Sequence, residues 1–461
     1  MKKMNMMCAA LAAILAVTMT GCGMNQTADT TAEHAVVTET QTGSAAETEE
    51  TAAETEAEAT ETEAAAEESA IEAVALSQSA NTDDTQDTDS ELFTKRDLAQ
   101  TADLNDAETI TVADGKTIDI TAEGVYVISG TAKDCTIRVN ADDTAKIQLV
   151  LDGVSITNSD FPAIYVLSAD KVFLTTTDSE NTLTVSGQFR ADGDTNTDAV
   201  IYSKDDLVLN GTGTLTINSK AGNGVSGKDD LKITGGTYNV TAALDSFEAN
   251  DSISIADGTF NITTEKDGFH CENDEAEGTI TILGGTYTIT GGSDGMQACA
   301  LLQIDGGTMD ITAPEGLEAT YVLINGGDIS ITASDDGINA VADSNAYEVA
   351  VEINGGNLNV AVGQGDTDAI DSNGSVYVNG GTVNITAQMS AFDYDRTAEF
   401  NGGTIIINGT EVSEIPQSMM GGGMRGGMGG MRGGFGSMDG ANDEMQGGMR
   451  GGFGGRSRGM L

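Results

Sequence analysis

The sequence has no tryptophan, only three prolines and only two histidines among its 461 residues. Without tryptophan, a binding surface of flat aromatic rings, as needed against crystalline cellulose, is poorly supplied. One histidine, His34, lies in a low-complexity acidic segment. His270 is then the remaining imidazole, so a histidine metal cage and a Ser-His-Asp triad are excluded. Few prolines together with 58 glycines indicate a regular, turn-rich architecture.

Cysteines are few and none forms a CxxC pair, which excludes a zinc cage of that type and gives no sign of a disulfide framework. Three of the five, Cys135, Cys271 and Cys299, lie beyond the N-terminal region, and their spacing leaves open whether two of them pair. Cys271 aligns with alanines of neighbouring repeats. This alignment indicates a small buried residue and not a catalytic thiol.

Basic residues are also scarce: 21 Lys and Arg stand against 73 Asp and Glu, for a formal net charge of −52. Such a chain repels nucleic acid and anionic lipid headgroups, so no nucleic-acid partner is expected. The charge favours divalent cations and neutral partners instead.

The N-terminus has the anatomy of an export signal over residues 1–22: Lys2 and Lys3, an apolar run, and the ending "MTGC" at Cys22. The ending resembles a bacterial lipobox, which implies that Cys22 is lipidated and that the protein is anchored on the outer face of the cell membrane. Membrane contact is expected through the lipid alone. An ordinary cleaved signal is the alternative.

Two low-complexity segments flank a central domain. Residues 23–91 are rich in Thr, Glu and Ala and predict a disordered, self-repelling spacer, with a weak acidic helix as the alternative. Residues 417–461 are rich in Gly, Met and Arg and predict a disordered tail. Its arginines could contact the acidic body or the wall, and its methionines could bind soft metals, although an unstructured extension is the simpler interpretation.

The central domain, residues 92–416, repeats one unit: a short strand, a double glycine, and a five-residue alternation such as "TYNVT" or "TYTIT". Aligned copies give three inward columns of apolar residues, and a fourth column marks a third short strand. The first two columns are Tyr238, Phe260, Tyr287, Met309, Ile329, Leu358, Val383, Ile405 and Val240, Ile262, Ile289, Ile311, Ile331, Val360, Ile385, Ile407. The others are Ile233, Ile255, Ile282, Ile304, Ile324, Ile353, Val378 and Phe247, Phe269, Met296, Leu317, Ile338, Ile370, Phe392.

These columns predict an all-β fold, a right-handed single-stranded parallel β-helix with three short strands per turn. The period of two excludes a helical solenoid, and the units are too short for propeller blades. Asparagines before the double glycines (Asn325, Asn354, Asn379, Asn401) predict an Asn stack in which the following glycine takes positive φ. The stretch 109–204 should supply the first turns and an N-terminal cap.

The third strand carries outward acids that stack from turn to turn. Beside these acids, a second outward column follows the buried one by one residue: Ser226, Glu248, His270, Gln297, Glu318, Asn339, Asp371 and Asp393. Unpaired carboxylates at this spacing repel one another, and calcium is the natural compensator. Four pairs are the expected ligands: Asp245 with Glu248, Asp267 with Glu272, Glu315 with Glu318, and Asp368 with Asp371; Asp294 and Asp336 belong to the same column. The alternative is that these acids cap turns by accepting backbone N–H bonds.

A separate segment, "DGDTNTD", spaces Asp192, Asp194, Asn196 and Asp198 two residues apart, like the start of an EF-hand loop. It lacks the glycine at the sixth place, where Thr197 stands, and the glutamate at the twelfth, where Ser203 stands. The segment is therefore a weak candidate for a further calcium site.

The segments "IQLVLDGVSITNSDFPAIYVLSADKV", "IYSKDDL" and "SGKDDLKITGGT" resemble bacterial exported carbohydrate-binding domain-containing proteins over residues 92–408. The resemblance implies a calcium-binding parallel β-helix related to polysaccharide lyases that binds plant-type glucan or polygalacturonate, without catalysis. One alternative is a calcium-dependent pectate-type lyase, with Lys228, Lys204 or Lys266 as the base that abstracts a proton. Another is a structural surface adhesin.

Overall fold

The computed structural model describes residues 92–273, 277–365 and 367–416, and these contain β-strands and no α-helix. The predicted export signal with Cys22, the spacer up to residue 91 and the tail 417–461 lie outside the described residues. Within the described ranges, no helix is long and apolar enough to cross a membrane.

The strands follow one another with short connections. The N-terminal part contains β1 (Glu108–Thr111), β2 (Thr117–Ile120), β3 (Gly124–Lys133), β4 (Thr136–Asn140), β5 (Lys146–Asn158), β6 (Ile164–Ser168), β7 (Lys171–Thr176), β8 (Glu180–Val185), β9 (Ala199–Ser203), β10 (Asp206–Gly211) and β11 (Thr214–Ser219). The middle part contains β12 (Asn223–Gly227), β13 (Leu231–Ile233), β14 (Thr237–Ala242), β15 (Phe247–Ala249), β16 (Ser252–Ile255), β17 (Thr259–Thr264), β18 (Phe269–Cys271), β19 (Thr279–Ile282), β20 (Thr286–Thr290), β21 (Asp294–Ile304) and β22 (Thr308–Ala313). The C-terminal part contains β23 (Glu315–Ile324), β24 (Asp328–Ala333), β25 (Ile338–Ala340), β26 (Ala350–Ile353), β27 (Asn357–Val362), β28 (Asp368–Ser372), β29 (Ser375–Val378), β30 (Thr382–Thr386), β31 (Ser390–Tyr394), β32 (Ala398–Phe400), β33 (Thr404–Ile407) and β34 (Thr410–Val412).

The strands stack in parallel as a β-solenoid of about 12 turns, which confirms the predicted parallel β-helix with three strands per turn. In a typical turn, β13 lies on the first face, β14 on the second face and β15 on the third face, and each pairs with its counterpart three strands later. The C-terminal end departs from this pattern, because β34 folds back antiparallel on β33.

The inward columns form one continuous apolar core along the solenoid, as the aligned repeats predicted. Tyr238 pairs in register with Phe260, which pairs with Tyr287. Their rings are stacked, with centroid separations of 5.4 and 4.7 Å. Cys271 lies fully buried in line with the alanines of adjacent turns, which confirms its structural role.

Each double glycine forms the corner between the first and second faces, and its two members have different tasks. From Gly284 onward, a Cβ on the first glycine would meet a backbone carbonyl of the preceding turn, as at Gly326, where Asp305 O would lie 2.5 Å away; at Gly235 it would meet the Gln100 side chain. The second glycine takes positive φ, as Gly327 does at 99°. The expectation that the glycine directly after the asparagine takes positive φ was therefore wrong by one residue, because the corner needs close approach first and the left-handed conformation second.

The predicted asparagine stack is present beside these corners. Asn354 Nδ2 donates to Asn325 Oδ1 at 2.9 Å, Asn379 Nδ2 to Asn354 Oδ1 at 2.8 Å, and Asn401 Nδ2 to Asn379 Oδ1 at 2.9 Å. Asn325 itself donates to Asp305 at 2.7 Å. Each amide thus satisfies the next along the corner.

An irregular segment, residues 92–100, lies against the outside of the first face. Gln100 bridges two turns, since its Oε1 accepts from Gly211 N and its Nε2 donates to Thr234 O. Asp97 is fully buried there, within 3.7 Å of Lys171 Nζ and 4.0 Å of Lys232 Nζ. These contacts place the segment on the side of the solenoid, beside β7, β10 and β13.

Gly326→Ala should destabilise the solenoid by about 1–3 kcal/mol, because the added methyl group collides with a backbone carbonyl that cannot rotate away. Gly363→Ala is the matched control, since the nearest atoms to its Cβ would lie 3.9 Å away. Urea unfolding followed by circular dichroism should show a lower midpoint for the first variant only. Equal midpoints for both variants would contradict the role given to the first glycine.

Candidate functional site

The third face presents one outward column that runs nearly the whole length of the solenoid. Successive strand pairings place its members in register: Asp119, Arg138, Tyr165, Tyr202, Ser226, Glu248, His270, Gln297, Glu318, Asn339, Asp371 and Asp393. The sequence predicted this column from Ser226 onward. Its N-terminal extension through two tyrosines and an arginine was missed, because the early turns lack the double-glycine spacing.

Beside this column, the predicted acidic column is also present, and its members do cap the turns. The Asp267 N–H donates to Asp245 Oδ1 at 3.1 Å, and the Asp294 N–H donates to Asp267 Oδ1 at 2.9 Å. Asp336 accepts from the Asp368 N–H at 2.7 Å in the same way. The turn-capping alternative therefore holds for one oxygen of each of these carboxylates, which leaves the second oxygen for other partners.

The second oxygens of Asp245 and Asp267 meet in a cluster with His270, in which the three ligand atoms lie within 4.8 Å of one another. His270 Nδ1 is 3.4 Å from Asp245 Oδ2 and 3.9 Å from Asp267 Oδ2. Lys266 Nζ lies 3.2 Å from the same Asp245 oxygen. A lysine therefore already supplies positive charge to this cluster.

Electrostatics agree with that description. Burial disfavours the imidazolium of His270, but the hydrogen bond and charge of Asp245 outweigh it and raise the pKa of His270. Burial likewise opposes the carboxylate of Asp245, but His270 and Lys266 hold its pKa below the ordinary value. Burial and the neighbouring Asp245 charge raise the pKa of Asp267. Sequence reasoning set His270 aside as a ligand because it considered only sites with several histidines.

A second cluster joins Asp294, Glu315 and Glu318, whose carboxylate oxygens also lie within 4.8 Å of one another. This cluster contains the predicted pair Glu315 and Glu318 and adds the acid of the preceding turn. Among the described residues, no lysine or arginine forms an ion pair with any of the three. Only neutral groups donate to these carboxylates within the described ranges, among them the Ser293 hydroxyl, which donates to Asp294 Oδ2 at 3.2 Å.

Two amides of the outward column contact this second cluster. Gln297 Nε2 donates to Glu318 Oε1 at 2.5 Å, and Asn339 Nδ2 donates to both Glu315 and Glu318 at 2.9 Å. Asn339 Oδ1 is buried and has no hydrogen-bond partner among the described residues. Three converging carboxylates form the kind of oxygen-rich environment that a hard cation satisfies, and the unpartnered Asn339 oxygen belongs to a side chain that contacts two of them.

Burial raises the pKa of Asp294 to about 7, and the charges of Asp267 and Glu315 add to the effect. Burial also raises the pKa of Glu315 to about 7, with a further contribution from its hydrogen bond to Glu318. Protons or cations must therefore neutralise this cluster near neutral pH.

Glu248 and Glu272 belong to neither cluster within the described residues. Glu248 accepts from Asn223 Nδ2 at 2.5 Å and from Lys228 Nζ at 3.1 Å. The Glu272 side chain is 65% exposed and lies 3.4 Å from His270 Nε2. The role of these two glutamates as metal ligands therefore stays a prediction.

Farther along the column, Asp336, Asp368 and Asp371 are stacked but belong to neither cluster of three within the described ranges. Burial raises the pKa of Asp371 to about 7 and that of Asp336 to about 6, and neighbouring aspartates add to both shifts. These acids extend the charged surface beyond the second cluster.

The three candidate lysines all have polar partners. Lys228 Nζ pairs with Glu248, Lys204 Nζ donates to Thr195 Oγ1 at 3.0 Å, and Lys266 pairs with Asp245. Burial opposes the charge of Lys266, but Asp245 and Asp267 outweigh it and raise its pKa. A raised pKa keeps this amine protonated, which is the opposite of what a general base needs.

The EF-hand-like segment folds around a tight turn, and its role as a calcium site stays a prediction. Asp192 N and O bond with Thr195 in a tight turn, and Asn196 Nδ2 donates to Asp198 at 2.6 Å. Neither of the two carboxylate clusters in the described part of the chain includes Asp192, Asp194 or Asp198. The backbone carbonyl of Asp198 instead bonds the Asn223 N–H, at the N-terminal end of the acidic column.

A comparison with known protein families identifies the family of this chain. The model of the carbohydrate-binding domain-containing protein family matches residues 114–367 and 321–431, and the first match alone spans more than half of the chain. The chain belongs to this family. Both carboxylate clusters lie inside the first matched region of the carbohydrate-binding domain.

Two individual proteins are also similar to this chain. A carbohydrate-binding domain-containing protein of Acetivibrio thermocellus is 39% identical over 128 residues, which are 27% of this chain and 45% of the relative. The alignment thus spans less than half of that relative. A solved structure, described as a polysaccharide lyase-like protein from C. thermocellum in a gadolinium derivative, is 24% identical and covers 66% of this chain and 97% of its own, with a TM-score of 0.32.

Without metal, the melting temperature should fall as the pH rises from about 5 to 8. Asp294 and Glu315 bind protons more tightly in the folded chain than in the unfolded chain, where carboxyls titrate near pH 4. Their stabilising contribution is therefore complete below about pH 4 and is lost as the pH rises through about 7. Thermal melts in chelator at several pH values measure this slope, and Asp294→Asn should flatten it. A variant with the wild-type slope would contradict the assignment.

Proposed function

We propose that this protein is an exported carbohydrate-binding protein whose third face holds calcium at Asp294, Glu315 and Glu318 and binds polysaccharide there without catalysing its cleavage. The polysaccharide is a plant-type glucan or polygalacturonate. Lipidation of Cys22 would keep the domain on the outer face of the cell membrane, with residues 23–91 as the spacer. Family membership supports carbohydrate binding.

The second cluster is the observation that carries the metal part of the proposal. Three carboxylates converge without a lysine or arginine partner in the described part of the chain. Calcium accepts 6 to 8 oxygen ligands in flexible geometry. The carboxylate oxygens fit that preference, and a bound cation would replace the amide nitrogens of Asn339 and Gln297 that now face them.

The cation would connect the protein to its ligand. Coordination positions that the protein does not fill are available to water, sugar hydroxyls or uronate carboxylates. The first cluster differs, because Lys266 already lies where a cation would compensate Asp245 and Asp267. We therefore assign calcium to the second cluster and ion pairing to the first.

Calcium should raise the melting temperature of the wild-type protein, and a chelator should reverse the increase, because a ligand that binds only the folded state stabilises it. Glu318→Gln should lose most of the increase. Asp310→Asn is the matched control, since Asp310 is an exposed acid on the neighbouring strand of the second face and belongs to neither cluster. Identical melting curves with calcium and with chelator would contradict the metal assignment.

Binding and cleavage are distinguished by one incubation. Polygalacturonate with the purified domain and calcium should give no ultraviolet absorbance from an unsaturated product, while glucan or polygalacturonate affinity gels should retain the protein. The appearance of absorbance would establish a lyase instead. Failure of both gels to retain the protein would favour a structural adhesin.

A further inference from the structure

A cavity of about 340 Å³ opens at the N-terminal end of the third face, several turns before the carboxylate clusters. Its walls include three aspartates and two arginines, Asp134, Asp160, Asp192, Arg138 and Arg190, together with the ring of Phe161. The volume lies at the lower end of the range of small-molecule sites, roughly 300–1,000 Å³.

The inner wall is held rigidly. Buried Asn158 accepts from Cys135 N and donates to the carbonyls of Cys135, Phe161 and Pro162, which fixes the turn that carries Phe161. Asp134 has φ of 50°, a left-handed conformation rare for a residue with a side chain, and its Oδ1 accepts from Ser159 N and Oγ at 2.8 Å. Strain of this kind at a cavity wall marks a shape that is maintained by its surroundings.

The outer wall is the loop that contains the EF-hand-like segment. Arg190 N donates to Asp160 O at 2.9 Å, and Thr197 Oγ1 donates to Arg190 O at 2.7 Å. Tyr165 Oη donates to Asp192 Oδ2 at 3.2 Å. The acids that resemble a calcium loop in sequence therefore contribute to the wall of a cavity.

The guanidiniums of Arg138 and Arg190 have N–H donors that are available to a ligand. Arg138 Nε donates to Asp119 at 2.6 Å, and Arg190 Nε donates to Asp160 at 3.2 Å, so each side chain is oriented through one nitrogen. Within the described ranges, the terminal amino groups of these arginines have no protein acceptor. The Arg190 guanidinium also lies over the Phe161 ring, with its Cζ 4.2 Å from the ring centroid. The two side chains thus form one flat part of the wall.

The charged side chains of the cavity determine which class of sugar it can bind. The aspartates of the cavity outnumber its arginines by three to two, and the chain as a whole carries −52. An anionic sugar would be repelled, whereas each hydroxyl of a neutral sugar can donate to a carboxylate and accept from a guanidinium. A small cavity lined by both donors and acceptors matches a sugar residue that carries several hydroxyl groups.

We propose that this cavity binds a neutral sugar residue of a polysaccharide, directly and without calcium. The inference rests on the proposed carbohydrate-binding function and narrows it to a neutral glycan at this end of the face. Arg138 and Arg190 donate to ring hydroxyls and Asp160 accepts from them. The calcium cluster and the cavity are separate sites, so either can fail experimentally without the other.

Calorimetric titration of the full-length protein with cellohexaose, in calcium and in chelator, tests the proposal, with trigalacturonate as the anionic probe. Cellohexaose should bind equally in both buffers and more tightly than trigalacturonate. Arg138→Ala and Arg190→Ala should each weaken its binding about ten-fold, because hydrogen bonds from charged donors are lost. Arg396→Ala, which removes the same charge from an exposed position near the C-terminal end, should bind like the wild type.

Calcium-induced melting shifts of the two cavity variants should match the wild type, which shows that they fold. Tighter binding of trigalacturonate, undiminished binding in both arginine variants, or no binding of cellohexaose would each overturn the proposal. Loss of cellohexaose binding in chelator would also overturn it. Glu318→Gln that loses the calcium shift yet binds cellohexaose normally would support two separate sites.

Discussion

Stacking of each residue on its counterpart one turn away is the constraint on which the rest of this structure depends. Parallel strands pair at roughly 4.8 Å, so whatever a repeat places at one position is brought against the same position of the next repeat. Apolar columns profit from this, as the stacked rings of Tyr238, Phe260 and Tyr287 show. Asparagines profit as well, because an amide donates at one end and accepts at the other.

Carboxylates are the residues that this constraint penalises, and the third face shows two ways of compensating them. Around Asp245, a lysine and a histidine provide the positive charge. Around Asp294, Glu315 and Glu318, only neutral groups donate in the described part of the chain, and burial together with the neighbouring carboxylates raises the pKa values of Asp294 and Glu315. The difference depends on one residue outside the repeat pattern, Lys266, which forms an ion pair in the first cluster, and the proposed calcium site is the cluster without such a lysine.

The sequence predicted the features that repeat from turn to turn and missed the features that occur once. Columns such as Phe247, Phe269 and Met296 were predicted in the correct register, because alignment of repeats is equivalent to alignment of turns. The sequence does not show that Glu248 contacts Lys228 and Asn223, because these contacts depend on side chains of neighbouring turns that the repeat pattern does not specify. The cavity around Arg138 escaped notice because its walls come from irregular turns and a loop, whose folding depends on contacts such as those of Asn158.

The unbroken register of the outward column relates the two proposed sites to the length of a bound polymer. Seven strand pairings lead from Arg138 to Glu318, a separation of roughly 34 Å along the solenoid axis. If the cavity and the second carboxylate cluster bind one polysaccharide as proposed, a chain that reaches both is held at two points, and the second contact gains the effective concentration of a tethered ligand. A shorter fragment would be held at one point and would dissociate faster. The number of turns between the two sites would then set the shortest polymer that is held at both.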